Sequence, residues 1–167
     1  MRPRHTSRDD LRAHAFEAYV AGAGARLLHT ATLLTAEAPD DNPYARRLLT
    51  LALAHTYADW DRLHGGDPYA HTRRRLATRF ANGSWHRRCG PLRPRPRPAG
   101  LLARLSPQER LVLVLRLYEG IAEEQTAALL GLSAERVRTV FHRATAVVLR
   151  PPPGAASAAG GVEAVPS

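Results

Sequence analysis

Between Leu105 and Arg150 the chain is punctuated as three successive helices, and that punctuation restricts the fold more than any other feature. Ser106-Pro107-Gln108-Glu109 has the form of a capping box with proline at the first helical position, so a helix is predicted from Pro107. Leu111, Val114, Leu115 and Tyr118 follow at helical spacing, and Gly120 can close the helix. A second, shorter helix is predicted from about Ala122 to Leu130, stopped by Gly131. Leu132 and Ser133 complete a tight turn, with Ser133 as N-cap of a third helix. That helix should end near Arg150, because Pro151-Pro152-Pro153 cannot continue it.

The third helix is two-sided. Val137, Phe141, Ala144 and Val148 form an apolar stripe for packing, while Arg136, Arg138, Thr139, His142 and Arg143 point away from it. Two helices joined by a tight turn, the second carrying arginines on its free side, have the form of a helix-turn-helix. That motif sets its second helix in the major groove of DNA. Arginine suits guanine edges and phosphates there, and Thr139 suits either. A solvated face on a small helical bundle would carry the same residue types.

The 167-residue chain has room for one domain or two small ones, and its formal net charge is +9. All 24 cationic Lys+Arg positions are arginine. Nine of these, Arg73, Arg74, Arg75, Arg79, Arg87, Arg88, Arg93, Arg95 and Arg97, follow one another with no acidic residue between, and they match the whole net charge of +9. Such a block is the electrostatic footprint of a polyanion binder, or else a solubilising basic run. The single cysteine, Cys89, excludes an internal disulfide, and neither CxxC nor HExxH spacing is present to hold a metal. No cofactor is expected. Nor is catalysis, since paired carboxylates, a nucleophile with its base and a phosphate-cradling glycine loop are all missing. The polar N-terminus has no signal-peptide core, and no apolar run reaches the roughly 20 residues needed to cross a membrane. The expectation is a cytoplasmic protein with no membrane partner.

No strand pattern appears, so the fold class is all-α, with two small helical domains joined by a Pro/Arg-rich linker. Residues 1–10 are expected to be disordered, 11–89 to form a helical domain, 90–104 the linker, 105–150 the helix-turn-helix domain and 151–167 a disordered tail. In the N-terminal domain, Ala38 to Pro43 is a break, a second helix starts near Tyr44, and Leu63 to Pro68 is a loop with Asp67 as N-cap. A third helix is predicted from Pro68 to about Arg79, interrupted by Asn82-Gly83. In the linker, Pro91, Pro94, Pro96 and Pro98 alternate with arginines and favour an extended chain. Its 15 residues, Gly90 to Arg104, reach at most about 50 Å.

Taken together, the two halves resemble an extracytoplasmic-function RNA polymerase sigma factor. The phrases LSPQERLVLVLRLYEG, AALLGLS and VRTVFHRA are similar to sigma region four. FEAYVAGAGARLLHTATLLT, LALAHTYADWDRL and DPYAHTRRRLATRF followed by SWHRR resemble region two. The resemblance implies a non-catalytic promoter-recognition subunit whose partners are core RNA polymerase and double-stranded promoter DNA, with an anti-sigma factor a common further partner in the family. It implies that Arg136, Arg138, Thr139, His142 and Arg143 read the upstream (−35) element. Arg62, His64, Arg73, Arg74, Arg75 and Arg79 would then serve the downstream (−10) element and its backbone, with Trp85 stacking on a base. The polymerase-binding helix would offer Arg47, Leu48, Thr50, Leu51 and His55. It opens with Arg46 and Arg47, where the family usually has acidic residues. A stand-alone DNA-binding regulator and a protein-interaction module are the alternatives.

Overall fold

The computed structural model describes residues 4–63, 65–86 and 98–150. Among the described residues, six α-helices run in the order α1 (Arg4–Thr35), α2 (Pro43–Ala58), α3 (Pro68–His86), α4 (Pro107–Leu113), α5 (Glu123–Leu130) and α6 (Ala134–Leu149). Short 3-10 turns lie at Trp60–Arg62 and Leu101–Arg104, and a π turn, Val114–Tyr118, extends α4. No strand occurs among the described residues, and the fold is all-α.

The helix boundaries have local causes. Helix α1 ends at Ala36, whose backbone is left-handed at φ 54°. The chain then turns so that the Glu37 carboxylate accepts the amides of Tyr44 (3.1 Å) and Ala45 (2.8 Å), capping the first turn of α2. Asn42 closes the same corner, donating to Thr32 Oγ1 at 3.2 Å and accepting from Arg46 Nε at 2.8 Å. Asp67 Oδ1 accepts the Tyr69 amide at 2.9 Å, as expected of an N-cap at the start of α3.

Two expectations for this half are corrected. Residues 4–10 are helical and extend α1, where disorder was predicted. Helix α3 runs unbroken through Asn82-Gly83 to His86. A single glycine costs only about 1 kcal/mol in a helix interior, and Leu76, Ala77 and Phe80 just before it are buried in the core.

The core does not stop at the boundary between the halves. Leu27, Ala31 and Leu34 of α1, Leu48, Leu49 and Ala52 of α2, and Leu76, Ala77 and Phe80 of α3 form one cluster with Leu111, Val114, Leu115 and Ile121. Within the C-terminal half, Val112, Ala127, Val137 and Val140 form a second cluster, and Leu105, Leu113 and Ala144 a third. Successive residues of α4 thus face opposite ways, Leu111 toward the N-terminal helices and Val112 toward α5 and α6.

Two charged groups fasten this junction. Arg110, 5 % exposed, donates from Nη1 to the carbonyls of Leu34 (3.1 Å) and Thr35 (2.8 Å), the open C-terminal end of α1. Its Nη2 donates to Leu105 O at 3.1 Å, and burial lowers its pKa. Glu119 follows the π turn, and its carboxylate is fully buried. It accepts from Thr30 Oγ1 (2.5 Å) and from the Tyr69 hydroxyl (2.9 and 3.1 Å), with Arg73 Nη1 at 3.4 Å and Arg26 Nη2 at 3.9 Å. The π geometry is explicit in the Glu119 amide, which donates five residues back to Val114 O at 3.0 Å.

The described end of the predicted linker, residues 98–104, carries a 3-10 turn at Leu101–Arg104, and the Ala99 amide donates to Ala36 O at 2.6 Å. Residues 87–97 and the tail 151–167, with their predicted linker and disordered segments, lie outside the described residues.

Replacing Glu119 by alanine removes the common acceptor of Thr30 and Tyr69 and should cost about 1–3 kcal/mol in urea unfolding; an unchanged midpoint would contradict the role given to this carboxylate. Tyr69 adds a pH signature. Its pKa is pushed from 10.0 up to about 12, first by burial and then by the bond to Glu119. The folded chain therefore holds this proton more tightly than the unfolded chain does. The associated stability is present below pH 10 and is lost as pH rises toward 12. Tyr69→Phe should flatten that part of the stability profile.

Candidate nucleic-acid interface

The α5–α6 corner is built from its capping residues outward. Gly131 is left-handed, at φ 65°, as the C-cap of α5, and the Leu132 amide returns to Ala127 O at 3.0 Å. The Ser133 side chain accepts the Arg136 amide at 3.2 Å and starts α6. Ser106 and Glu109 form the reciprocal capping box of α4, with bonds of 2.9 and 3.3 Å. Val137, Val140 and Ala144 then seat α6 on its neighbours. Val140 was missing from the predicted stripe, and Phe141, placed there by spacing, is only half-buried. Tyr118 is likewise exposed, at the end of the π turn.

Glu135, Arg136, Arg138, Thr139, His142 and Arg143 are all exposed on one side of α6. The five residues expected to read DNA thus share one open face. Thr139 donates to Glu135 O at 2.9 Å, which leaves its oxygen lone pairs outward as acceptors. Arg143 Nε lies 2.9 Å from Glu109 Oε1. Arg138 bonds to Glu123 at the start of α5 through Nη2 (2.8 Å) and Nε (3.3 Å), and this partner raises its pKa. The acidic partners Glu109 and Glu123 were not foreseen. The capping box placed Glu109, but which arginine it meets depends on the packing of α4 against α6.

The N-terminal basic residues are less uniform than the sequence suggests. Arg73 faces Glu119, Arg75 Nη2 pairs with Asp59 Oδ2 at 2.8 Å, and Arg79 Nη2 meets His55 Nε2. Asp59 also lies 3.4 Å from both Arg62 Nη1 and His71 Nε2, and it is held below the usual carboxylate range, first by the Arg75 bond. His71 is pulled down, first by its burial. Arg74 is exposed, and Arg62 is exposed beside its partner Asp59. His64, Arg87, Arg88, Arg93, Arg95 and Arg97 lie outside the described residues, as does the side chain of Trp85.

On α2, Arg47, Thr50, Leu51 and His55 lie along one exposed side. Leu48 does not join them. It is 4 % exposed and part of the core, which corrects its placement as a surface contact residue. Arg46 is tied back to Asn42, so Arg47 is the first arginine of this side free of the helix cap. No described helix is long and apolar enough to cross a membrane.

Comparison with known proteins agrees with this geometry. The family described as Sigma-70, region 4 matches residues 101–148, the span from the second 3-10 turn through α6. The chain is 32 % identical to the RNA polymerase sigma-E factor of Streptomyces coelicolor over 152 residues, covering 78 % of this chain and 82 % of that protein. The sigma-E factor of Streptomyces avermitilis is also 32 % identical, over 78 % of this chain and 81 % of its own length. That of Streptomyces antibioticus reaches 50 % identity over 42 residues, 25 % of this chain and 23 % of the other. No solved structure matches. With the helix-turn-helix in place and the likeness to whole sigma factors running through both halves, the chain belongs to the RNA polymerase sigma factors of the extracytoplasmic-function type.

Proposed function

We propose that this chain binds core RNA polymerase and directs it to promoters, reading the upstream element with α6 and engaging the downstream element with its N-terminal half. The observation that carries this reading is the open face of α6, where three arginines, Thr139 and His142 stand clear of the core behind a capped helix-turn-helix. Arginine forks suit guanine edges and phosphates, and an N-terminal position on the second helix brings them to base height.

In this reading the exposed row of α2, Arg47, Thr50, Leu51 and His55, meets the polymerase. Arg62, His64, Arg74 and Trp85 serve the downstream element, where Trp85 stacks on an unpaired base. Arg62, Arg73, Arg75 and Arg79 have acidic or imidazole partners within the chain, so their use on DNA requires exchange of those partners. The cytoplasm is the compartment in which this activity operates.

The test is co-elution of the full chain with core RNA polymerase, followed by run-off transcription. A stable complex that yields new transcripts is expected, whereas specific DNA binding without co-elution would point to a stand-alone regulator. Leu51→Glu leaves the core untouched and should weaken co-elution about tenfold or more, if Leu51 lies at the centre of the contact; full retention would remove α2 from the interface. Arg136→Ala or Arg143→Ala should lower affinity for a selected promoter duplex by about 1–3 kcal/mol. If both variants bind as the unaltered chain does, the reading face is assigned to the wrong side of α6.

A further inference from the structure

The arginines of the α6 face are not held alike. Arg138 is gripped side-on, its Nη2 on Glu123 Oε1 at 2.8 Å and its Nε on Oε2 at 3.3 Å. Arg143 meets Glu109 through Oε1, while Oε2 of that carboxylate accepts the Ser106 amide at 2.9 Å. The Glu123 side chain is 15 % exposed and that of Arg138 is 61 % exposed. The carboxylate is therefore a seated anchor, and the guanidinium projects from it toward solvent.

Two consequences follow from this fork. Side-on pairing fixes the guanidinium plane, since both carboxylate oxygens are engaged, and directs the remaining Nη1 edge outward. The anchored negative charge also offsets the arginine's attraction to phosphate, which carries no sequence information. A free arginine at this margin of α6 would swing to the nearest phosphate on any duplex. A fixed one has a donor set suited to a base edge.

We infer that Glu123 is a positioning residue that sets the base selectivity of α6, holding the Arg138 guanidinium in reading geometry and withholding its charge from the DNA backbone. The inference rests on the proposal that α6 reads DNA. The competing account is that Glu123 serves only as an acidic residue in the first turn of α5, favoured by the helix dipole. Glu124 shares that first turn and that charge, with no hydrogen bond to Arg138 among those of the fork. Glu124→Gln is therefore the matched control.

The experiment compares the full chain with its Glu123→Gln, Glu124→Gln, Arg138→Ala and Glu123→Gln/Arg138→Ala variants, after thermal melts have shown each to be folded. Each is used to select duplexes from a random library, and each is titrated against one arbitrary duplex over a range of salt. Glu123→Gln should relax preference at one base position about tenfold. It should also strengthen binding to the arbitrary duplex and steepen its salt dependence by about one phosphate contact. Glu124→Gln should change neither measure beyond its single charge, and Glu123→Gln should have no effect in the Arg138→Ala background. Equal behaviour of the two glutamate variants, or a Glu123 effect that survives without Arg138, overturns the inference while leaving DNA reading intact. A chain that enriches no sequence at all overturns both.

Discussion

A carboxylate removed from water must be met by donors on every side, and Glu119 meets this requirement only by drawing on the other half of the chain. Thr30 and Arg26 come from α1, Tyr69 and Arg73 from α3, and the carboxylate itself from the end of the π turn. The apolar residues around it fix the same relation, since Leu111, Val114, Leu115 and Ile121 lie in one cluster with the N-terminal core. Hydrophobic burial is non-directional, whereas the bonds from Thr30 and Tyr69 to this carboxylate require a particular geometry. The carboxylate thus determines how α4 sits on α1 and α3, and through α4 the placement of the α5–α6 corner.

The same economy recurs elsewhere. In a chain with a net charge of +9, a few glutamates do most of the polar organising. Glu37 caps α2, Glu109 closes the start of α4 and also meets Arg143, and Glu123 grips Arg138. Arg110 is the cationic counterpart, serving the C-terminal carbonyls of α1 as Glu37 serves the amides of α2. Among the described residues, Arg47, Arg74 and Arg136 are left exposed outside this scaffold.

Much of the C-terminal half was legible in the sequence because its determinants are local. Capping serines, a proline at the first turn and glycines with positive φ act within four residues, and each appears where the sequence indicated. What could not be read depends on packing over long separations. The arginine run looked uniformly free because its partners, Asp59 and Glu119, lie outside it in sequence. Leu48 and the polar residues around it share a helix, and only the position of α1 and α3 decides that Leu48 faces inward. Asn82-Gly83 reads as a break by composition, yet the helix is carried through it by neighbours buried just before. The outer face of α6 was correctly grouped, whereas the glutamates that differentiate its arginines were invisible to periodicity.

The π turn at Val114–Tyr118 gives the chain length between α4 and Gly120 a meaning of its own. Such a turn amounts to one residue inserted into an α-helical ladder, and it advances everything after it by a fraction of a turn. Here that phase points Glu119 inward while leaving Leu117 64 % exposed. Deleting the exposed Leu117 would restore an ordinary ladder without removing a capping or core residue, yet it would rotate the carboxylate out of its pocket. The spacing between two helices is therefore information as definite as a side chain.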